Sequence, residues 1–241
     1  MDFPRALRTS RRRHRLSQLE LATRAGTTQR HLSFMEGGRS RPGRSMVVRL
    51  SESMELPLRE RNELLLAAGY APVYPQTPLD GPGLSHVRTA LRHILAGHMP
   101  YPALVVDARH ELVLANDAIT LLTEGVAAHL LRPPVNVPRL ALHPEGLAPR
   151  IANLAQWAQH ILDRLPRDDL YDELSGYVPA PAPDPGHVGF AVPLRLRSTR
   201  GELRLTTTIT TFATALDVTV AELRLEAFLP ADAETAALLA G

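Results

Sequence analysis

The chain has 241 residues, enough for one large or two ordinary domains, and its 44% hydrophobic and 22% charged composition is that of a folded globular protein. It contains no cysteine, which excludes disulfides, thiolate chemistry and Cys-ligated zinc. The net charge of +2 hides an asymmetry: residues 1–70 hold 14 arginines against 7 acids, whereas residues 71–241 hold 13 against 18, so only the first part suits a polyanion.

There is no lysine, so a choice of arginine at any one position says little about bidentate recognition. The arginine-rich N-terminus has no apolar run behind it, and no segment approaches the roughly 20 apolar residues of a membrane helix. A cytoplasmic protein without membrane contact is expected.

Residues 4–69 read as five short helices. PRALRTSRRRHR comes first. Ser17 can cap SQLELATRAG, which Gly26 breaks, and Thr28 can cap TQRHLSFME, which Gly37 and Gly38 end. SMVVRLSESM and LRERNELLLAAG follow. Residues 71–83 are Pro- and Gly-rich and read as a semi-stiff linker. From Leu84 the order is helix (LSHVRTALRHILAG), strand (ALVVD), strand (LVLAN), helix (DAITLLTEG), then a long helix, LAPRIANLAQWAQHILDRL. Asn116 can cap the helix that starts at Asp117. Three strands close the domain: GFAVPLRLRS, GELRLTTTITTF and VTVAELRLEAFLP, each alternating apolar and polar residues. The expected sheet is five-stranded and antiparallel with helices on one face. Its inner face would carry Leu104 and Val106 (or Val105, on the opposite face), with Phe190, Val192, Leu194, Leu203, Leu205, Ile209, Leu223 and Leu225. Residues 231–241 form a tail that is either a short helix or frayed.

Two closely crossing helices need a small residue and then a turn residue that tolerates positive φ; Ala22 and Gly26 supply these, with Leu21, Leu32 and Met35 on the buried side. On these residues, LSQLELATRAGTTQRHLSFMEGGRSRP resembles the DNA-binding domain of the XRE family of helix-turn-helix regulators, across residues 8–69. The resemblance implies that Gln18 bonds a DNA phosphate and that Gln29, Arg30 and Phe34, with Ser33 nearby, meet base edges, with Thr28 at the head of the same helix. Gln can read adenine and Arg guanine in the major groove. Phe34 departs from the polar residue common at its position; it either packs on a thymine methyl or covers its own helix. Arg39, Arg41 and Arg44 would grip the backbone, fixing register without reading sequence; the alternative for each is a solvated side chain. Glu36, an acid on a DNA-facing surface, is implied to pair with Arg11 or Arg12 below it. A dimer on a two-fold-related operator is expected, since one such module binds modestly.

Strand, strand, helix, helix and three strands is the element order of a PAS domain. YPALVVDARHELVLAN, NVPRLALHPEGLAPRIANLAQW and VTVAELRLEAFLPADAET resemble the XRE regulators that carry an MmyB-like, PAS-like ligand-binding domain. The implied fold is an all-α XRE-type domain (1–70), a linker (71–83) and an α+β PAS-like domain (84–230). The implied function is transcription regulation by a small-molecule effector, an apolar or fatty-acid-like ligand, with no other cofactor. On the long helix, Arg150, Asn153 and Trp157 form one stripe that can anchor a carboxylate head beside an apolar wall; the alternative is a solvated arginine and a core tryptophan. Asn136, Arg139 and His143, in the irregular NVPRLALHP stretch, either satisfy backbone groups or point at a ligand. Phe190, Val192 and Leu205 are candidate walls.

No enzyme is expected: GxSxG, a phosphate-binding glycine loop and HExxH are all missing from the sequence. No metal site is expected either. His93 and His98 fall on different helix faces, and His86 and His93 lie two turns apart. His160 is a conceivable haem ligand, against a surface histidine as the alternative. Two functions from different classes remain: a ligand-responsive regulator whose linker near Pro72–Pro82 transmits the signal, and a constitutive DNA-binding protein whose second domain only dimerises or recruits a protein partner.

Overall fold

The computed structural model describes residues 2–178 and 192–240. The chain forms two compact units: residues 1–81 together with 213–221, and residues 82–212 together with 222–241.

The first unit holds five helices: α1 (Phe3–Arg13), α2 (Gln18–Arg24), α3 (Gln29–Glu36), α4 (Arg44–Ser53) and α5 (Leu58–Ala67). Each boundary has a local cause. Ser17 and Glu20 form a reciprocal capping box on α2, with Glu20 N–H on Ser17 Oγ at 3.1 Å and Ser17 N–H on Glu20 Oε2 at 2.7 Å. Gly26, at φ +62, makes the turn to α3, where Thr28 Oγ1 accepts the His31 N–H. Leu7, Leu21, Ala22, Leu32, Met35, Val47, Leu50 and Leu65 are buried together as one core. The expected small residue, turn and inward apolar side chains are all in place.

Residues 71–81 have no regular secondary structure but are tied down. Asn62 Oδ1 accepts the N–H groups of Val73 and Tyr74, and its Nδ2 donates to Tyr74 O at 2.7 Å. Further on, Thr77 N–H bonds Asp217 Oδ2 at 3.1 Å and Val218 N–H bonds Pro75 O at 2.8 Å. Segment 213–221 therefore clasps the linker from within the same unit.

The second unit runs α6 (Ser85–Gly97), β1 (Ala103–Val106), β2 (Leu112–Ala115), α7 (Thr120–Thr123), α8 (Val137–Leu142), α9 (Leu154–Leu162), α10 (Asp169–Ser175), β3 (Leu194–Ser198) and β4 (Gly201–Thr211). After α11 (Val218–Glu222) come β5 (Arg224–Pro230) and α12 (Ala233–Ala240). The five strands form one antiparallel sheet in the order β2-β1-β5-β4-β3. Strand number and direction are as expected, but helices are not confined to one face, since α6 packs on β1 and β2 from the other.

Four further expectations change in detail. The strand expected over 218–230 begins as α11, because Asp217 Oδ1 accepts the Thr219 N–H at 2.8 Å and starts a helix. The long helix from Leu147 is broken: Ile151 bridges Leu196, Ala152 N–H donates to Arg195 O, and regular helix starts only at Leu154. Asn116 makes no cap. It is buried, accepts the Ala103 N–H at 3.1 Å and donates to the carbonyls of Leu95 and Tyr101, joining α6 to β1.

The fourth change is the phase of β5. Leu225 pairs with Val105, whereas Glu226 pairs with Leu104, so Glu226 and Phe228 share the inner face with Leu104 and Val106. The expected inner-face residue Leu225 lies on the other face, on the side of α6, which packs on β1 and β2. Ile209 is 39% exposed. Both faces of β5 are covered, so its apolar alternation did not disclose which face meets the pocket.

Candidate functional site

In the first unit α3 carries the residues expected to meet DNA. Thr28, Gln29 and Arg30 are exposed at its start, Ser33 and Phe34 are half-buried, and Arg39, Arg41 and Arg44 are exposed in the stretch that follows. Phe34 has a clear structural role. The Arg39 guanidinium stacks 4.6 Å from its ring centre and that of Arg30 sits at 5.3 Å, so one ring steadies two cations.

Beneath this surface Glu36, with a side chain only 2% exposed, receives a bidentate bond from Arg11: Nε to Oε1 at 2.6 Å and Nη2 to Oε2 at 2.9 Å. Arg12, the other implied partner, is exposed. Gln18 Nε2 donates to Glu36 Oε2 at 2.8 Å, so its amide is oriented by the ion pair at the foot of α2. Burial alone would raise the Glu36 pKa, but the bonds from Arg11 and Gln18 overcome it and hold the carboxyl below the usual range.

The second unit holds a partly open cavity of about 270 Å³ between the inner face of the sheet and the helices. Leu104, Val106, Leu112, Leu194 and Phe228 line the sheet side, and Leu122, Val137, Leu140, Trp157, Ile161 and Leu165 line the other. Trp157 is 5% exposed, with the ring of His160 tilted against it at 5.4 Å.

The other candidate anchors sit elsewhere. None of Arg150, Asn153, Asn136, Arg139 and His143 is among the lining residues. Arg150 donates to four main-chain carbonyls, those of Leu121, Leu122, Glu124 and Arg197. Asn153 accepts the Arg195 N–H and donates to Pro193 O, holding β3. With the helix broken before Leu154, Arg150, Asn153 and Trp157 do not form a single stripe. Asn136 caps α8 through the Arg139 N–H, and Arg139 is bidentate to Glu173 at 2.7 and 2.6 Å. Leu205 is wholly buried and Val192 packs on the same core, both apart from the cavity wall; Phe190 lies outside the described residues.

Of the polar groups that do line the cavity, the sequence pointed only to His160, as a conceivable haem ligand. They include His110, His160, Arg164, Thr207 and Glu226. His160 is half-buried rather than on the surface, and burial together with Arg164 lowers its pKa. His110 is lowered by burial and by Arg224 and Arg164, so both rings favour the neutral form. Glu226 is pushed up, chiefly by burial, with Arg164 and Arg224 opposing. A lone acid in an apolar strand was the available signal for it.

Among the described residues one cluster has metal-ligand spacing: the ligand atoms of His129, His143 and Glu145 lie within 4.8 Å of one another. His143 Nδ1 already accepts the Glu145 N–H at 3.0 Å, which leaves only Nε2. Also among the described residues, no helix is long and apolar enough to cross a membrane.

A helix-turn-helix unit joined to an α+β unit with an internal apolar cavity defines a class: DNA-binding transcription regulators with a ligand-binding domain. The chain belongs to one family within it. The family model described as the MmyB-like transcription regulator ligand binding domain matches residues 87–240, and a helix-turn-helix model matches residues 7–61. Among solved structures, the chain is similar to "Structure of an RNA-binding Light-Oxygen-Voltage Receptor", at 16% identity and a TM-score of 0.29, over 98% of this chain and 62% of that one. No curated protein matches the chain.

Proposed function

We propose that this regulator is a dimer that reads a two-fold-related operator with α3, and that an apolar small molecule in the second unit modulates its DNA binding. The observation that carries this reading is the cavity of about 270 Å³, walled by aliphatic and aromatic side chains. Among the described residues, the second unit's own side chains leave this volume open, where a pure scaffold would fill it. Gln29 and Arg30 are the proposed base readers; Arg39, Arg41 and Arg44 are proposed to hold phosphates, and Gln18, steadied by Glu36, to reach another.

A route for the signal follows from the chain path. Thr207, Glu226 and Phe228 line the cavity on β4 and β5. The segment joining those strands, 213–221, holds the linker through Asp217 and Val218. The linker in turn is bonded to Asn62 of α5. A ligand that shifts the ends of β4 and β5 would move the clasp, and a coupling of about 1–3 kcal/mol suffices for a usable switch.

The test has two stages. Native mass spectrometry of the purified chain, before and after denaturation, is expected to reveal a dimer and a co-purifying small molecule. Fluorescence anisotropy on an operator found by genome-wide footprinting is then expected to show an affinity that depends on that compound. Operator affinity independent of any cavity ligand would leave the second unit as a dimerisation or docking module.

A further inference from the structure

We propose that the ligand carries a neutral hydrogen-bonding head, an alcohol or a primary amide and not a carboxylate, seated between Thr207 and Glu226. The proposal rests on the ligand-responsive reading above and sharpens it.

Two groups at the cavity wall have hydrogen-bonding capacity left over among the described residues. Thr207 Oγ1 is the single buried side-chain polar atom with no hydrogen bond among the described residues. A shielded hydroxyl without a partner costs free energy that a ligand atom can recover. Glu226, with a side chain 16% exposed, makes no hydrogen bond among the described residues; Arg164 lies 3.8 Å from its Oε1. Thr207 pairs with Phe228 and Glu226 pairs with Ile209, so the two are diagonal neighbours on one face. Diagonal neighbours lie about 7–8 Å apart, which lets one small polar group touch both side chains.

The charges around this point select the head. Glu226 is an acid and Arg164 the cation opposite it; Arg224 acts on it from farther off. The two histidines on the wall, His110 and His160, are held neutral and add no positive charge. An anionic head would set a second carboxylate beside one that burial already disfavours, against an arginine that already faces Glu226. A hydroxyl or amide instead donates to the Glu226 carboxyl and satisfies Thr207 with no charge to bury. The rest of the wall is apolar and suits an aliphatic body.

Trp157, the chain's only tryptophan, lines the cavity and reports on occupancy by its fluorescence. Purified full-length protein is titrated with 1-decanol, decanamide and decanoate. Both neutral compounds are expected to bind at least about tenfold more tightly than decanoate. Thr207→Val is expected to weaken 1-decanol about tenfold. Glu226→Gln removes the ionisable carboxyl and keeps the shape. It is expected to tighten decanoate at least about tenfold and to leave 1-decanol within about threefold. Decanoate binding the wild-type protein as tightly as 1-decanol overturns the proposal, as does a Glu226→Gln variant with unchanged decanoate affinity. A saturable fluorescence change with none of the three overturns the ligand-responsive reading beneath it, so the two failures are distinct.

Discussion

Arg11 and Glu36, 25 residues apart in the chain, meet in a bidentate ion pair between α1 and α3, with side chains 10% and 2% exposed. The pair fixes the end of the recognition helix against the first helix, and it also orients Gln18. Removing one partner strands the other as a buried charge. Arg11→Met is expected to cost about 3–5 kcal/mol, read from the urea midpoint of the first unit's transition. The lowered Glu36 pKa gives this stabilisation a direction in pH. It is fully present above the unfolded-state value of about 4.3 and is lost as pH falls through the lower folded value. Glu36→Gln should therefore flatten the acid limb of stability; an unchanged limb would place the acid sensitivity elsewhere.

The proposed DNA surface divides into readers and grips, and the two roles make different predictions. Arg30→Ala is expected to cost about 1–3 kcal/mol on the cognate operator and little on random DNA. Arg41→Ala should weaken all sequences alike and reduce the salt slope by about one. Anisotropy titrations on both DNAs at several salt concentrations distinguish them. Equal loss on both DNAs for Arg30→Ala would remove it from the readers.

Phe34→Leu keeps an apolar side chain and deletes the ring on which Arg30 and Arg39 rest. A loss of about 0.5–1 kcal/mol per released cation is expected in operator binding, with fold stability nearly unchanged. Unchanged operator affinity would make Phe34 a cover for its own helix and no more.

Arg150 grips four carbonyls, so Arg150→Met leaves several main-chain acceptors without donors. A destabilisation of about 2–3 kcal/mol is expected in urea. Ligand affinity, followed by Trp157 fluorescence, should hold, because Arg150 is outside the cavity wall. A selective loss of ligand binding with stability intact would restore it as a ligand anchor.

Asp217→Ala deletes the acceptor for Thr77 N–H and the start of α11. Operator affinity is expected to lose its ligand dependence, a change of up to about 1–3 kcal/mol in coupling, while the cavity still binds. A variant that keeps full ligand dependence would rule out the clasp as the route.

The helix-turn-helix was legible because its signals are local. Capping residues, Ala22, Gly26 and the two glycines after α3 act within a few positions, and the apolar spacing of one buried face does the rest. The ion pair of Glu36 was legible only through resemblance. The cavity wall was not legible. β5 is covered on both faces, so its more apolar face, with Leu223 and Leu225, looked like the inner one, yet Glu226 and Phe228 point to the pocket. The Arg150 stripe failed for a related reason: hydrogen bonds from Asn153 and Ala152 to β3 interrupt the helix, and those partners lie about forty residues away in the chain.

By itself the sequence determined that an arginine-rich five-helix module precedes an α+β domain, where the recognition helix starts and stops, and which family the chain resembles. Tertiary structure alone decided what the second domain offers a ligand. Strand phase, set by pairing partners far away in the chain, turned Thr207 and Glu226 inward. Long-range hydrogen bonds turned Arg150, Asn153 and Arg139 into struts. Local patterns specify which residues can be buried; only the assembled sheet specifies which of them face one another across a cavity.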